Sequence, residues 1–120
     1  MIEEYHFGSI IIDGKTYNHD VEVRWTGEVL KWWRKESHVI DVEDVKRAVE
    51  EKPETIIIGN GESGVAEVLE ETQRFIKEKG IKLIIDKTEE AVKTFNIILG
   101  ESELEEGKQN KVIGLFHLTC

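Results

Sequence analysis

Apolar and polar residues alternate most clearly from Tyr17 to Trp25, where Tyr17, His19, Val21, Val23 and Trp25 interleave with Asn18, Asp20, Glu22 and Arg24. Successive strand side chains point to opposite faces, so this stretch predicts a half-buried strand with its even positions toward solvent. Upstream, the apolar run Phe7 to Ile12 meets Asp13-Gly14, a pair suited to a hairpin turn because glycine accepts positive φ without steric penalty. Thr26-Gly27 turns the chain again, and Val29 to Trp33 predicts a third strand.

The period then lengthens. Val42, Val45, Ala48 and Val49 share one helical face behind Asp41, a cap with Asp44 three residues on, and Pro53 marks the end of that helix. Thr55 to Ile58 are continuous and β-branched, as in a strand covered on both faces. Beyond the glycines, Val65, Val68, Leu69, Thr72, Phe75 and Ile76 keep helical spacing, closed by Lys77, Lys79 and Gly80. Lys82 to Ile85 predict another buried strand. Thr88 is the expected cap of a helix striped by Ala91, Val92, Phe95, Ile98 and Leu99, and Asn96 beside that stripe offers an amide to nearby backbone or to a ligand. The polar segment from Gly100 to Lys111 predicts a solvated connection, and "VIGLFHLTC" a final apolar strand.

The expected organisation is one α/β domain over residues 1–120: a β region at about 5–33, a parallel right-handed βαβ unit at about 55–86, and a helix and strand at about 88–120.

The stretch "IIGNGESG" places Gly59, Gly61 and Gly64 in a G-x-G-x-x-G directly after an apolar run. In a dinucleotide site such glycines make the turn, admit the pyrophosphate and let the helix pack closely. Asp86, at the end of the next strand, lies near the distance at which an acid meets a ribose hydroxyl. Against that reading stands Glu62, which puts a carboxylate where phosphate would lie. The alternative is a plain strand-to-helix turn with Ser63 as its cap. Gly59, Asn60, Gly61, Ser63 and Gly64, with Asp86 and Thr88, form the candidate small-molecule site.

Trp32, Trp33 and Arg34 form the second candidate, an interaction surface. Adjacent tryptophans on a strand cannot share one face, so either helices cover both or one presents an aromatic contact patch of the kind enriched at binding hot spots. His117 and Cys120 fall on opposite faces of a strand, which disfavours a thiol–imidazole dyad, and no spacing of carboxylates marks a metal site. No catalytic set, metal or cofactor is expected.

Composition narrows the partners. The formal charge of −9 and pI near 5.0 oppose extended contact with nucleic acid or an anionic membrane. The single cysteine, Cys120, excludes an internal disulfide. The start "MIEEYHFG" has no signal-like apolar core, and a cytoplasmic protein is expected. Glu and Lys dominate the 34% charged residues, a bias similar to that of hyperthermophile proteins.

The segments "WWRKESH", "IIIGNGESG", "GIKLIIDKTEEAVKTFN" and "GLFHLTC" resemble, in that order, an uncharacterised single-domain family. It includes the mitochondrial respiratory complex I assembly factor three and the cytosolic adipogenesis-associated domain protein. The most specific matches are Thr88, Ala91, Val92, Phe95 and Asn96, and the ending Phe116, His117, Thr119 and Cys120. The resemblance implies an α/β fold of three layers around a mixed, partly parallel central sheet, with an additional N-terminal antiparallel β layer and a last strand antiparallel to its neighbours. It also implies that the third glycine is incidental, that no enzyme activity is assigned, and that relatives act through protein partners. Between Arg34 and Asp41 the loop is shorter than in animal relatives.

The expected function is therefore a non-enzymatic interaction or assembly protein with an unidentified protein partner. The alternative is a protein that binds a phosphorylated metabolite or nucleotide at Gly59–Gly64. A monomer or weak homo-oligomer is expected, any self-association running through an edge strand in the N-terminal hairpin or at Val112 to Leu118.

Overall fold

The computed structural model describes residues 1–104 and 109–120, with the side chains of 102–104 left aside. Its centre is the last strand. β10 (Val112–His117) lies between β4 (Val21–Arg24), to which it is antiparallel, and β7 (Thr55–Asn60), to which it is parallel. β5 (Val29–Lys31) closes one side and β9 (Lys82–Asp86) the other, giving the order β5-β4-β10-β7-β9. β7 and β9 pair in parallel, as the βαβ pattern requires. The expectation that the final strand is antiparallel to its neighbours holds on one side only. Nor does β10 offer a free edge: all six of its residues are buried.

Two cores follow from strand alternation. Ile56, Ile58, Ile113 and Leu115 face α1 (Val42–Glu50) and α2 (Glu70–Glu78). Ile57, Val112 and Phe116 face Phe95, Val92 and Ala91 of α3 (Thr88–Leu104). Beside α3, the antiparallel sheet of β1 (Ile2–His6), β2 (Ser9–Ile12) and β3 (Lys15–Tyr17) places Ile2, Ile10 and Ile12 over Val21 and Val23. Asn96 joins that sheet to α3, accepting from the amide of Ile2 and donating to its carbonyl at 3.0 and 2.8 Å.

Several elements depart from expectation. Tyr17 to Trp25 is broken between β3 and β4, and its polar face is not solvated: Glu22 is 1% exposed beneath α1. Its two oxygens meet Arg24 at 2.8 Å and Arg47 of α1 at 3.0 Å, so a carboxylate is buried because it is paired twice. β5 ends at Lys31, before the tryptophans. The helix expected after the glycines begins only at Glu70, with Leu69 at its cap and the short β8 (Glu67–Val68) before it, paired to β6 (Val39–Ile40). α3 continues to Leu104, so the first part of the predicted acidic connection is helical, and residues 105–108 of it lie outside the described residues. The first helix forms as predicted, with Asp41 and Asp44 in a reciprocal capping box.

Candidate functional site

Parallel strands bring Gly59 beside Phe116 and Asn60 beside His117 at the carboxyl edge of the sheet. Gly59 has no room for a side chain, since a Cβ there would lie 2.9 Å from Thr88 Oγ1 and 3.1 Å from the Phe116 ring. Thr88 is the first residue of α3, and its hydroxyl does not cap that helix. It donates to the carbonyl of His117 at 2.6 Å and accepts from the amide of Gly61 at 2.9 Å, while its own amide returns a bond to Gly61 O. The glycine loop is thereby stitched to the far end of the chain.

Gly61 has φ +105°, and a Cβ on it would sit 2.7 Å from Thr119 O and 3.2 Å from His117 Cδ2. Glu62 donates its amide to Thr119 O, and Gly64 (φ +71°) turns back on Gly61 O. The close approach that the second glycine permits is thus made by the chain's own residues 117–120. Ser63 caps no helix, because the chain runs through β8 before α2 starts. Asp86 is exposed and accepts from the adjacent Lys87 amide.

On the other side of His117 lies a polar cluster. His117 is 3% exposed, and its Nδ1 sits 2.8 Å from Asp20 Oδ2 and 2.7 Å from Arg34 Nη2, while Arg34 also bonds Asp20 at 3.0 Å. The carboxylate needs a protonated Nδ1 and the guanidinium a bare one, so the imidazole tautomer decides which of those contacts is a hydrogen bond. Asp20 Oδ1 accepts from the Leu118 amide at 2.9 Å. Burial alone would push the Asp20 carboxyl up, but His117, the Leu118 amide and Arg34 outweigh it and hold it below its ordinary value. Arg34 also donates to the carbonyls of Glu36 and Ser37 at 2.9 and 3.0 Å, fixing the loop. Two buried polar atoms on one face of this edge, His117 Nε2 and Asn60 Oδ1, find no partner among the described residues. Among the described residues no hydroxyl or thiol is hydrogen-bonded to Nε2.

The two tryptophans diverge although both lie beyond the end of β5. Trp32 is 4% exposed and donates its indole N–H to Asp44 O at 2.8 Å. Trp33 is 71% exposed, with Lys31 Nζ 4.1 Å from its ring centroid. Of the expected interaction surface, only Trp33 faces outward; the Arg34 side chain is 5% exposed. A shallow depression of about 310 Å³ runs from Trp33 past Arg34, Asp20 and His117 to Thr119. Phe7 and Val65, both exposed, belong to the turns that bond the same terminal segment, through Gly8 N to Leu118 O and Glu62 N to Thr119 O. Both predicted sites therefore meet at one edge, joined by His117. Asp20 was not legible as a member. The sequence pattern alternates without a break through it, whereas the strand is interrupted there between β3 and β4.

A family model described as a protein of unknown function (DUF498/DUF598) matches residues 2–114. The chain belongs to this family. Among solved structures, a conserved hypothetical protein from Pyrococcus horikoshii is 25% identical over 100% of this chain and 99% of its own, with a TM-score of 0.85. A protein called MT938 is 28% identical over 100% of this chain and 98% of its own, at TM-score 0.80. A Bordetella pertussis protein described as an Mth938-like domain shares the fold, at 16% identity over 98% of this chain and 84% of its own and TM-score 0.69. These agree with the family that the motifs resemble. Among the described residues no helix is long and apolar enough to cross a membrane.

Proposed function

We propose that this DUF498/DUF598 protein is an interaction or assembly module that docks a protein partner at the carboxyl edge, on Trp33. One observation carries this reading: an exposed indole stands between two neighbours that are both anchored, Trp32 by its bond to Asp44 O and Arg34 by Asp20 and two backbone carbonyls. An aromatic side chain mounted on a rigid segment loses little entropy on binding, which is what makes a hot spot. The resemblance to a family in which two relatives act through protein partners supports the same reading. Tagged wild-type protein and Trp33→Ser should then differ in the proteins they retain at equal thermal stability, while Ile97→Ser, an exposed apolar change on α3, should match the wild type. Retention of every partner by Trp33→Ser would overturn the proposal.

A second reading rests on the unpartnered His117 Nε2 and Asn60 Oδ1, which favour a small polar ligand reaching under the Gly61–Gly64 loop. Titration of labelled protein with nucleotides and phosphorylated metabolites tests it. Saturable shifts at Asn60, Ser63 and Gly64 support that ligand, whereas flat amides at millimolar concentration remove it.

A further inference from the structure

The central sheet ends on one side in β9, Lys82-Leu83-Ile84-Ile85-Asp86, which among the described residues pairs only with β7. Natural sheets blunt such edges with proline, bulges, short strands or charges set along the strand. β9 has five residues, no proline and a regular register with β7. Its middle is three aliphatic residues, all half-buried although α2 and α3 cover the two faces beside them.

Lys82 donates its amide to Glu54 O, toward the β7 side. In a strand the backbone groups of successive residues point to opposite sides, so those of Leu83 and Ile85 point outward from the sheet. From these groups and the order of side chains, we infer that β9 is a self-association edge whose partner is β9 of a second copy of this chain.

A strand pairing with its own copy about a two-fold axis must be antiparallel. With Ile84 on the axis, Leu83 stands opposite Ile85 of the second copy, and the outward N–H and C=O groups of each such pair can exchange both bonds. Lys82 then stands opposite Asp86 of the second copy, and Asp86 opposite its Lys82. These are non-hydrogen-bonded positions, where side chains come closest and opposite charges help most. Hydrogen-bond phase, apolar centre and terminal charges all select one register. A shift of one residue would turn the bonding groups away from each other. This inference does not depend on the proposed Trp33 surface, since β9 lies at the sheet's lateral edge and Trp33 beyond its carboxyl edge.

A contact of one short strand falls below the area of stable dimers, so dissociation near about 100 μM is expected. Sedimentation equilibrium from about 10 μM to 1 mM should show a monomer–dimer equilibrium of the 13.8 kDa chain. Lys82→Asp and Asp86→Lys, each placing like charges opposite one another, should each weaken association about tenfold, and the double exchange should restore it. Both side chains are exposed, and unchanged circular dichroism will show that the fold persists. In a Cys120→Ser background, Ile84→Cys should form a disulfide-linked dimer on oxidation. A monomer throughout the range, or single reversals that leave association unchanged, overturns the inference. So does a double exchange that fails to restore association, or a dimer that Ile84→Cys does not cross-link.

Discussion

Gly61 and Gly80 both have positive φ, +105° and +77°, but only one has neighbours where a side chain would go. Alanine at Gly80 meets nothing within 4 Å, so it carries only the left-handed penalty of about 1–2 kcal/mol. At Gly61 the same penalty is joined by a contact of 2.7 Å with Thr119 O, a backbone atom that cannot swing aside. Overpacking of this kind costs about 1–3 kcal/mol more. Urea denaturation should therefore show Gly61→Ala clearly less stable than Gly80→Ala, and equal losses would show that residues 119–120 do not hold the loop. Asp20 gives a second expectation. Its folded-state carboxyl is held below the ordinary value of 3.8, so its contribution is complete above that value and is lost as pH falls through the lowered one. The stability difference between wild type and Asp20→Asn, measured by denaturation at each pH, should be level near neutrality and shrink below about pH 4. A difference that grew on acidification would mean that the carboxyl is not stabilised by His117, Leu118 and Arg34.

At the scale of elements, β4 shows what alternation can and cannot tell. Val21 and Val23 were legible as a core face because period two is a property of the strand itself. The fate of Glu22 was not, because it depends on Arg47, twenty-five residues away on a helix that packs over the same strand. A carboxylate 1% exposed between two guanidinium groups is costly to leave half-made. Removing the acid takes one carboxylate from Arg24, whose side chain is 11% exposed, while Glu28 and Glu51 still pair it, so the loss is that of charged hydrogen bonds, about 2–3 kcal/mol. Glu22→Ala should lose that much in denaturant titration, whereas Lys46→Ala, which breaks the exposed pair with Glu43, should lose less than about 1 kcal/mol. The start of α2 was illegible for a related reason. Val65 and Val68 match a helical period, but Val68 and its neighbour Glu67 pair with Ile40 and Val39 in a parallel bridge, and Val65 lies in the loop before it.

Across the whole molecule, the terminal segment does for the fold what the glycine motif suggested a ligand might do. Leu118 is buried, its amide reaches Asp20, and its carbonyl accepts from Gly8 and stands 3.0 Å from the Tyr5 hydroxyl. Thr119 O accepts from Glu62, so two residues, Leu118 and Thr119, tie the first hairpin, the strand β4 approach and the glycine loop to the end of β10. Sequence reasoning could place a G-x-G-x-x-G after a strand. It could not say what the glycines approach, since that is settled by parallel pairing of Asn60 with His117, far apart in the chain. A variant ending at His117 loses the buried Leu118 side chain from its core and the acceptors of the Gly8 and Glu62 amides, which together should lower stability by about 3–5 kcal/mol. The loss should also be local. β1 and β2 meet the central sheet through Ile2, Ile10, Ile12, Asn96 and residue 118, so without the last of these their amides should exchange with solvent faster than those of β7 and β10. Hydrogen exchange on the shortened chain checks this. Uniform acceleration over both sheets would mean that the terminal segment supports the fold as a whole and does not act as the tie between its layers.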